Sequence, residues 1–243
     1  MKAIPVTASS LAPISFFAKF ETALRKEFAL NCRGQIYDPQ EVILVRGGTN
    51  HDVHFVISGA VHTTNFSHQG KEITLRVHGA GAAFGLLSAL DGQPRATDAI
   101  AKQRTVVARM TGERFRKLMQ DHPAVNREVT NYLVHLVRTL ANRVIELGTL
   151  NVNQRLYAEL LRLSQLDEGN FDHAVIYKMP THADLASRIA THREAVSREL
   201  KRLMRTGLIN KDGRDVWINK VSMLRDMIAR YQPPLRTINS SIH

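Results

Sequence analysis

The sequence predicts an α+β protein: an N-terminal antiparallel β-roll of the double-stranded jelly-roll type, a long dimerisation helix and a C-terminal winged helix-turn-helix. Three observations lead there. Residues 40–110 hold short β-rich runs punctuated by glycine. Residues 123–150 carry an apolar stripe at helical spacing, and residues 184–209 read as two short helices across a tight turn. The expected divisions are 1–122 for the arm and roll, 123–150 for the long helix, 151–232 for the winged domain and 233–243 for an unpatterned tail.

The opening, MKAIPVTASSLAPISFF, lacks the apolar core of a secretion signal and reads as a flexible arm leading into a first helix. Beyond it come the runs Val42–Val45, Val53–Ile57, Val61–Thr64, Ile73–Val77 and Thr105–Ala108. Many short strands at steady spacing imply a small all-β barrel or roll. Gly59-Ala60-Val61 through Gln69-Gly70-Lys71-Glu72 reads as a hairpin. From Pro123, the residues Val129, Leu133, Leu136, Leu140, Val144 and Leu147 recur at spacings of three and four, which makes a coiled-coil-like seam for a second copy. The competing reading of that stripe is a helix packed on its own roll. Residues 149–154 read as a hinge.

In the back third, Thr181 is placed to cap a helix with Asp184 three residues on, and Leu185 and Ile189 give that helix a buried side. Thr191 is expected to cap the second helix, with Glu194 at its third position. Val196, Leu200 and Leu203 form one buried stripe, Glu194, Arg198, Lys201 and Arg205 fall opposite, and Gly207 ends the helix. Asp212-Gly213 between Leu208-Ile209 and Val216-Trp217-Ile218 is a hairpin signal, so the module is winged.

A guanidinium bonds both O6 and N7 of guanine, and a carboxylate accepts from the N4 amine of cytosine. Arg193, Glu194 and Arg198, within six positions, are therefore candidates for reading adjacent base pairs in double-stranded DNA. Thr181, Arg188, Thr191, His192, Ser197 and Lys201 complete the candidate interface. Between Arg188 and Arg205 six basic residues stand against two acids, an excess that suits phosphate contacts. A solvated face with internal Arg–Glu pairs is the plainer alternative. The whole chain carries a formal charge of +11, which favours an acidic partner.

These parts, in this order, resemble the CRP/FNR family of bacterial transcription regulators. The matching residues are FVISGAV (55–61), FGLLSALDGQPRA (84–96) and the 184–209 motif, and the resemblance spans roughly 35–225. It implies a homodimer on a two-fold operator with TGTGA-like half-sites, and RNA polymerase as a partner if the protein activates. It also implies an effector pocket in the roll, at Gly85, Leu86, Leu87, Arg95, Ala96, Leu140 and Ala141. Cyclic-nucleotide-responsive members have a Glu for the ribose where this chain has Leu86, and a polar pair for the base at Leu140 and Ala141. Arg95 matches their phosphate-binding arginine. By resemblance the ribose and base contacts are absent and the phosphate contact remains. A cyclic nucleotide, another small ligand or larger nucleotide held by Arg95, and no ligand at all stay open. So does a purely structural Arg95, ion-paired with Asp91 or Asp98. Haem-sensing relatives make His78 and Cys32 candidate ligands. A sensor of cyclic nucleotide or haem that does not read DNA is the alternative function.

Other chemistry is poorly served. The single cysteine, Cys32, excludes an internal disulfide, a four-cysteine zinc site and a cysteine-ligated iron–sulfur cluster. His51, His54, His62, His68 and His78 lack metal-site spacing, so no metal is expected. There is no nucleophile–base pair and no GxxxxGKS loop, and Gly79 and Gly81 begin only a weak GxGxxG likeness. No enzyme is expected. No apolar run approaches the ~20 residues that span a bilayer, and a cytoplasmic, membrane-free protein is expected.

Overall fold

A computed structural model describes residues 2–66 and 72–229. His68, residues 69–71 of the expected hairpin and the expected 233–243 tail lie outside the described residues. The chain divides into two compact units, the first ending at Val137 and the second beginning at Arg138.

The first unit opens with β1 (Lys2–Ile4), α1 (Ala8–Leu11), a 3-10 turn (Ser15–Phe17) and α2 (Thr22–Asn31). The roll follows as β2 (Arg33–Tyr37), β3 (Val42–Leu44), β4 (Val53–Ser58), β5 (Ala60–Phe66), β6 (Glu72–Gly79) and β7 (Ala83–Phe84). It is completed by α3 (Leu86–Asp91), β8 (Asp98–Ala101) and β9 (Thr105–Met110), then α4 (Gly112–Asp121) and α5 (Pro123–Thr149). One sheet runs β1-β2-β9-β4-β7 and the other β3-β8-β5-β6. Every pairing in both sheets is antiparallel. Tyr37, Val56, Val61, Phe84 and Val107 form the roll's core. At Gly59 (φ +90°), between β4 and β5, a Cβ would lie 2.5 Å from Thr105 Oγ1 and 2.7 Å from the Arg104 carbonyl oxygen, so only glycine makes that turn.

Two expectations need correction here. The opening segment is no flexible arm. Lys2–Ile4 pair with Gly34–Ile36 as an edge strand. Phe16 and Phe17 are buried in an aromatic cluster with Phe20, Phe28, Phe55 and Phe115. Six rings bury enough apolar surface to hold the segment down. The proposed α5 seam also begins too early. Val129 is 2% exposed in this same core, where Leu133 packs as well, and Tyr132 hydroxyl accepts from Arg76 Nη1 at 3.3 Å. The front of the helix is thus covered by its own roll, as the competing reading had it.

The second unit holds the rest of α5, then α6 (Val152–Leu163), β10 (Gln165–Asp167), β11 (Asn170–Ile176), α7 (His182–Arg188) and α8 (Arg193–Arg205). The wing strands β12 (Ile209–Asp212) and β13 (Asp215–Ile218) and the helix α9 (Val221–Ala229) complete it. Its sheet runs β10-β11-β13-β12. Leu156, Leu160, Leu185, Ile189, Val196, Leu200, Leu203, Ile209, Val216, Ile218 and Leu224 are its core. The expected hinge is short: α5 ends at Thr149, and Asn151 already caps α6 in a capping box with Gln154. Past Val137, α5 exposes Leu140 (44%), Val144 (69%), Ile145 (56%) and Leu147 (49%).

Candidate nucleic-acid interface

Thr181 Oγ1 accepts from Asp184 N at 3.2 Å and donates to Asp184 Oδ2 at 2.8 Å, which fixes the start of α7. The turn out of α7 passes through Ala190, left-handed at φ 53°. Thr191 N then donates back to Ala186 O at 2.9 Å. That bond draws Thr191 into the turn, where it is 8% exposed, and the N-cap of α8 moves on to His192, which makes no side-chain cap bond. The expected Thr191 cap, and Thr191 as an interface residue, are corrected accordingly.

Val196, Leu200 and Leu203 bury one side of α8, and Gly207 follows it at φ 70°. Arg193, Glu194, Arg198, Lys201 and Arg205 are exposed on the other side. With Asn153 and Ser197 they line a shallow groove of about 790 Å³. His192, the N-cap residue of α8, is exposed.

Two arginines counted toward that basic face are otherwise engaged. Arg202 Nη2 donates to Glu199 Oε1 at 2.6 Å and to Tyr157 hydroxyl at 2.8 Å. The hydrogen bond to Glu199 pushes the Arg202 pKa up, and burial, with help from Glu199, pushes Tyr157 up to about 12. Arg188 is 14% exposed and pairs with buried Glu159 at 3.1 Å. Glu159 also binds Arg162 and faces Arg143 at 3.6 Å. Arg188 therefore braces the module internally, a correction to its place in the expected interface. Arg193, Arg198, Lys201 and Arg205 form no ion pair among the described residues.

Sequence reasoning missed His182, whose Nδ1 lies 2.7 Å from Ser197 Oγ. It also missed Lys211 and Arg214, which with His182 line a second groove of about 260 Å³ between α7, α8 and the wing. The only sequence signal was a histidine immediately after a helix cap.

The roll's expected effector residues form a different picture. Arg95 is 4% exposed. Its guanidinium donates twice to Asn50 Oδ1 (2.9 and 2.6 Å), to Gly85 O (2.8 Å) and to Asp52 O (2.6 Å). These leave one of an arginine's five donors. Asp91 Oδ1 accepts from Gln93 N and Asp98 Oδ1 from Arg46 N, so neither is the ion-pair partner considered for Arg95. Gly85 stands at φ 80°, where a Cβ would come within 2.9 Å of Arg95 Nη1. Leu86 is 2% exposed inside the core, while Leu87 (45%) and Ala96 face solvent. Leu140 and Ala141, in the second unit, are exposed. An arginine already committed to the Asn50 side chain and to two backbone carbonyls, beside a buried leucine, does not fit a cyclic phosphate and its ribose.

His54 stacks on Phe84 at 4.9 Å, and His78 lies 5.5 Å from the same ring. Burial, then the nearby arginines, lower both to about 3. Burial raises the Cys32 thiol to about 12, so Cys32 does not offer the thiolate that a haem iron needs. Among the described residues no three His, Cys, Asp or Glu gather as a metal site, and no helix is long and apolar enough to cross a membrane.

Comparison with known proteins adds two family models in the same order. The cyclic nucleotide-binding domain matches residues 35–122, and the Crp-like helix-turn-helix domain matches residues 154–227. The chain is 24% identical over 190 residues to the cAMP-activated global transcriptional regulator CRP of Haemophilus influenzae, covering 78% of this chain and 85% of that one. It is 26% identical over 196 residues to the cyclic AMP receptor protein of Thermus thermophilus, covering 79% and 87%. The solved structure of the c-di-GMP responsive regulator CLP of Xanthomonas campestris superposes with a TM-score of 0.69 at 20% identity, covering 82% of this chain and 99% of that one. With a β-roll, a long helix and a winged helix-turn-helix in family order, the chain is a member of the CRP/FNR family of DNA-binding transcription regulators.

Proposed function

We propose that the protein binds a two-fold operator as a homodimer, each copy placing the exposed side of α8 in a major groove. Arg193, Glu194 and Arg198 read a TGTGA-like half-site. Thr181, His192, Ser197 and Lys201 hold the neighbouring backbone. The observation that carries this reading is the sorting of charge on α8: Arg202 is tied to Glu199, while Arg193, Arg198, Lys201 and Arg205 stay exposed. The second copy pairs along α5 from half-buried Leu136 through Leu140, Val144 and Leu147, and the last three are exposed apolar side chains that need a cover. Two such modules suit half-sites about one helical turn, ~34 Å, apart. The working divisions remain 1–122, 123–150 and 151–232, and the setting is the cytoplasm, with RNA polymerase as a further partner at activated promoters.

The roll acts as a sensing module that does not use cAMP. Its ribose-contacting position is Leu86, and Arg95 is held by Asn50, Gly85 and Asp52. Calorimetry with cAMP and cGMP should show no micromolar binding, and micromolar heat from either would overturn this part. A sensor with a winged module silent on DNA is not favoured. For DNA readout, Arg198→Ala should cost about 1–3 kcal/mol on the operator and leave affinity for random duplex nearly unchanged. Equal losses on both would contradict base reading by α8.

A further inference from the structure

His182 sits where three elements of the winged module meet. Its Nδ1 is 2.7 Å from Ser197 Oγ on α8, and it lines the groove shared with Lys211 and Arg214 of the wing. The charges around it are nearly all of one sign. Arg193 and Lys201 face it from α8 and Lys211 from β12, and together with burial, the largest cause, they lower its pKa below the ordinary 6.5. Asp184, the acid of its own helix, is held by Thr181 Oγ1 at 2.8 Å. In the free protein this imidazole is therefore neutral at physiological pH. A DNA phosphate arriving among Arg193, Lys201 and Lys211 supplies the negative charge that the site lacks.

We propose that His182 is a DNA-backbone contact that takes up a proton as a phosphate docks, so that operator affinity is coupled to pH. The inference rests on the reading of α8 as the DNA-facing helix. Protonated, the ring donates from both nitrogens: Nδ1–H to Ser197 Oγ and Nε2–H to a phosphate oxygen, a charge-assisted bond. Ser197 Oγ–H is then released to donate to a second acceptor on the DNA. Thermodynamic linkage sets the size of the effect. One proton taken up strengthens binding by up to about tenfold per unit fall in pH, between the value of His182 in the complex and its lower value in the free protein.

The test uses the full chain and two duplexes of equal length, one with inverted TGTGA half-sites and one random, by fluorescence anisotropy at constant ionic strength from pH 8 to pH 6. The wild type should tighten on the operator by about tenfold across that range. His182→Gln should lose most of this dependence and bind close to the wild-type level at pH 8. His182→Arg, permanently charged, should bind at all pH values about as the wild type does at pH 6. NMR titration of the His182 ring should show its pKa rise when the operator is added. A flat wild-type profile, an undiminished slope in His182→Gln, or an unmoved His182 pKa in the complex would overturn the proposal while leaving DNA binding by α8 intact. Failure of the wild type to prefer the operator at any pH would instead defeat the reading of α8, and this inference with it.

Discussion

Mild acid should weaken the β-roll before its carboxylates begin to protonate, through His54 and His78. Both rings are buried, at 2% and 4% exposure, against Phe84. His78 Nε2 lies 3.3 Å from the Thr63 hydroxyl. Each has a folded pKa near 3, mainly because burial disfavours the imidazolium, against 6.5 when solvated. The folded values are depressed, so the unfolded chain binds the protons first. The stability these rings contribute is complete above pH 6.5 and is lost as pH falls from 6.5 towards 3. With two protons of difference, unfolding free energy falls at about 2.7 kcal/mol per pH unit once both unfolded-state rings are charged. Two pH units of that slope rival the ~5–15 kcal/mol that hold an ordinary domain together. Urea unfolding followed by hydrogen exchange in β4, β6 and β9 measures the effect at each pH. The single tryptophan, Trp217, lies in the second unit and supplies an independent fluorescence reading there. His54→Phe keeps the stack on Phe84 and removes one titration, so its slope should drop to about 1.4 kcal/mol per unit. Stability that is level from pH 6.5 to 4.5, or an undiminished slope in His54→Phe, would refute the argument.

Glu159→Gln should cost the second unit about 3 kcal/mol, because three guanidinium groups, of Arg143, Arg162 and Arg188, would lose the buried carboxylate between them. An unchanged urea midpoint by Trp217 fluorescence would show that the cluster is structurally idle. Tyr157→Phe removes a hydroxyl that donates to Glu199 and accepts from Arg202, and should cost about 1–2 kcal/mol in the same assay. Cys32, raised to about 12 by burial, should alkylate far more slowly in the native protein at pH 8 than in urea. Equal rates would mean that the thiol is accessible.

The architecture was legible because its signals are local. The Thr181 cap, the Val196–Leu200–Leu203 stripe, Gly207 and the Asp212-Gly213 turn each lie within a few residues of what they shape. The strands that escaped notice lack such signals. Arg33–Tyr37 holds one apolar aliphatic side chain among polar neighbours, β7 is two residues long, and β10 pairs with β11 through a register shift. The stripe along α5 has one period throughout, and nothing in that period says that the roll covers Val129 while Val144 stays bare. The role of a charge depends on partners far away in the chain. Arg188 is neutralised by Glu159 and Arg95 is bound by Asn50, partners 29 and 45 positions away, which only the fold brings together. The shift of the α8 cap from Thr191 to His192 follows from a left-handed Ala190, a conformation that alanine does not advertise.

The central claim is tested most directly by selecting bound sequences from a random duplex pool with the purified full chain. The recovered sites should be inverted repeats with half-sites about one helical turn apart, and the enrichment should collapse with Arg198→Ala. A pool that stays random, or a single asymmetric site held by one copy of the chain, would contradict it.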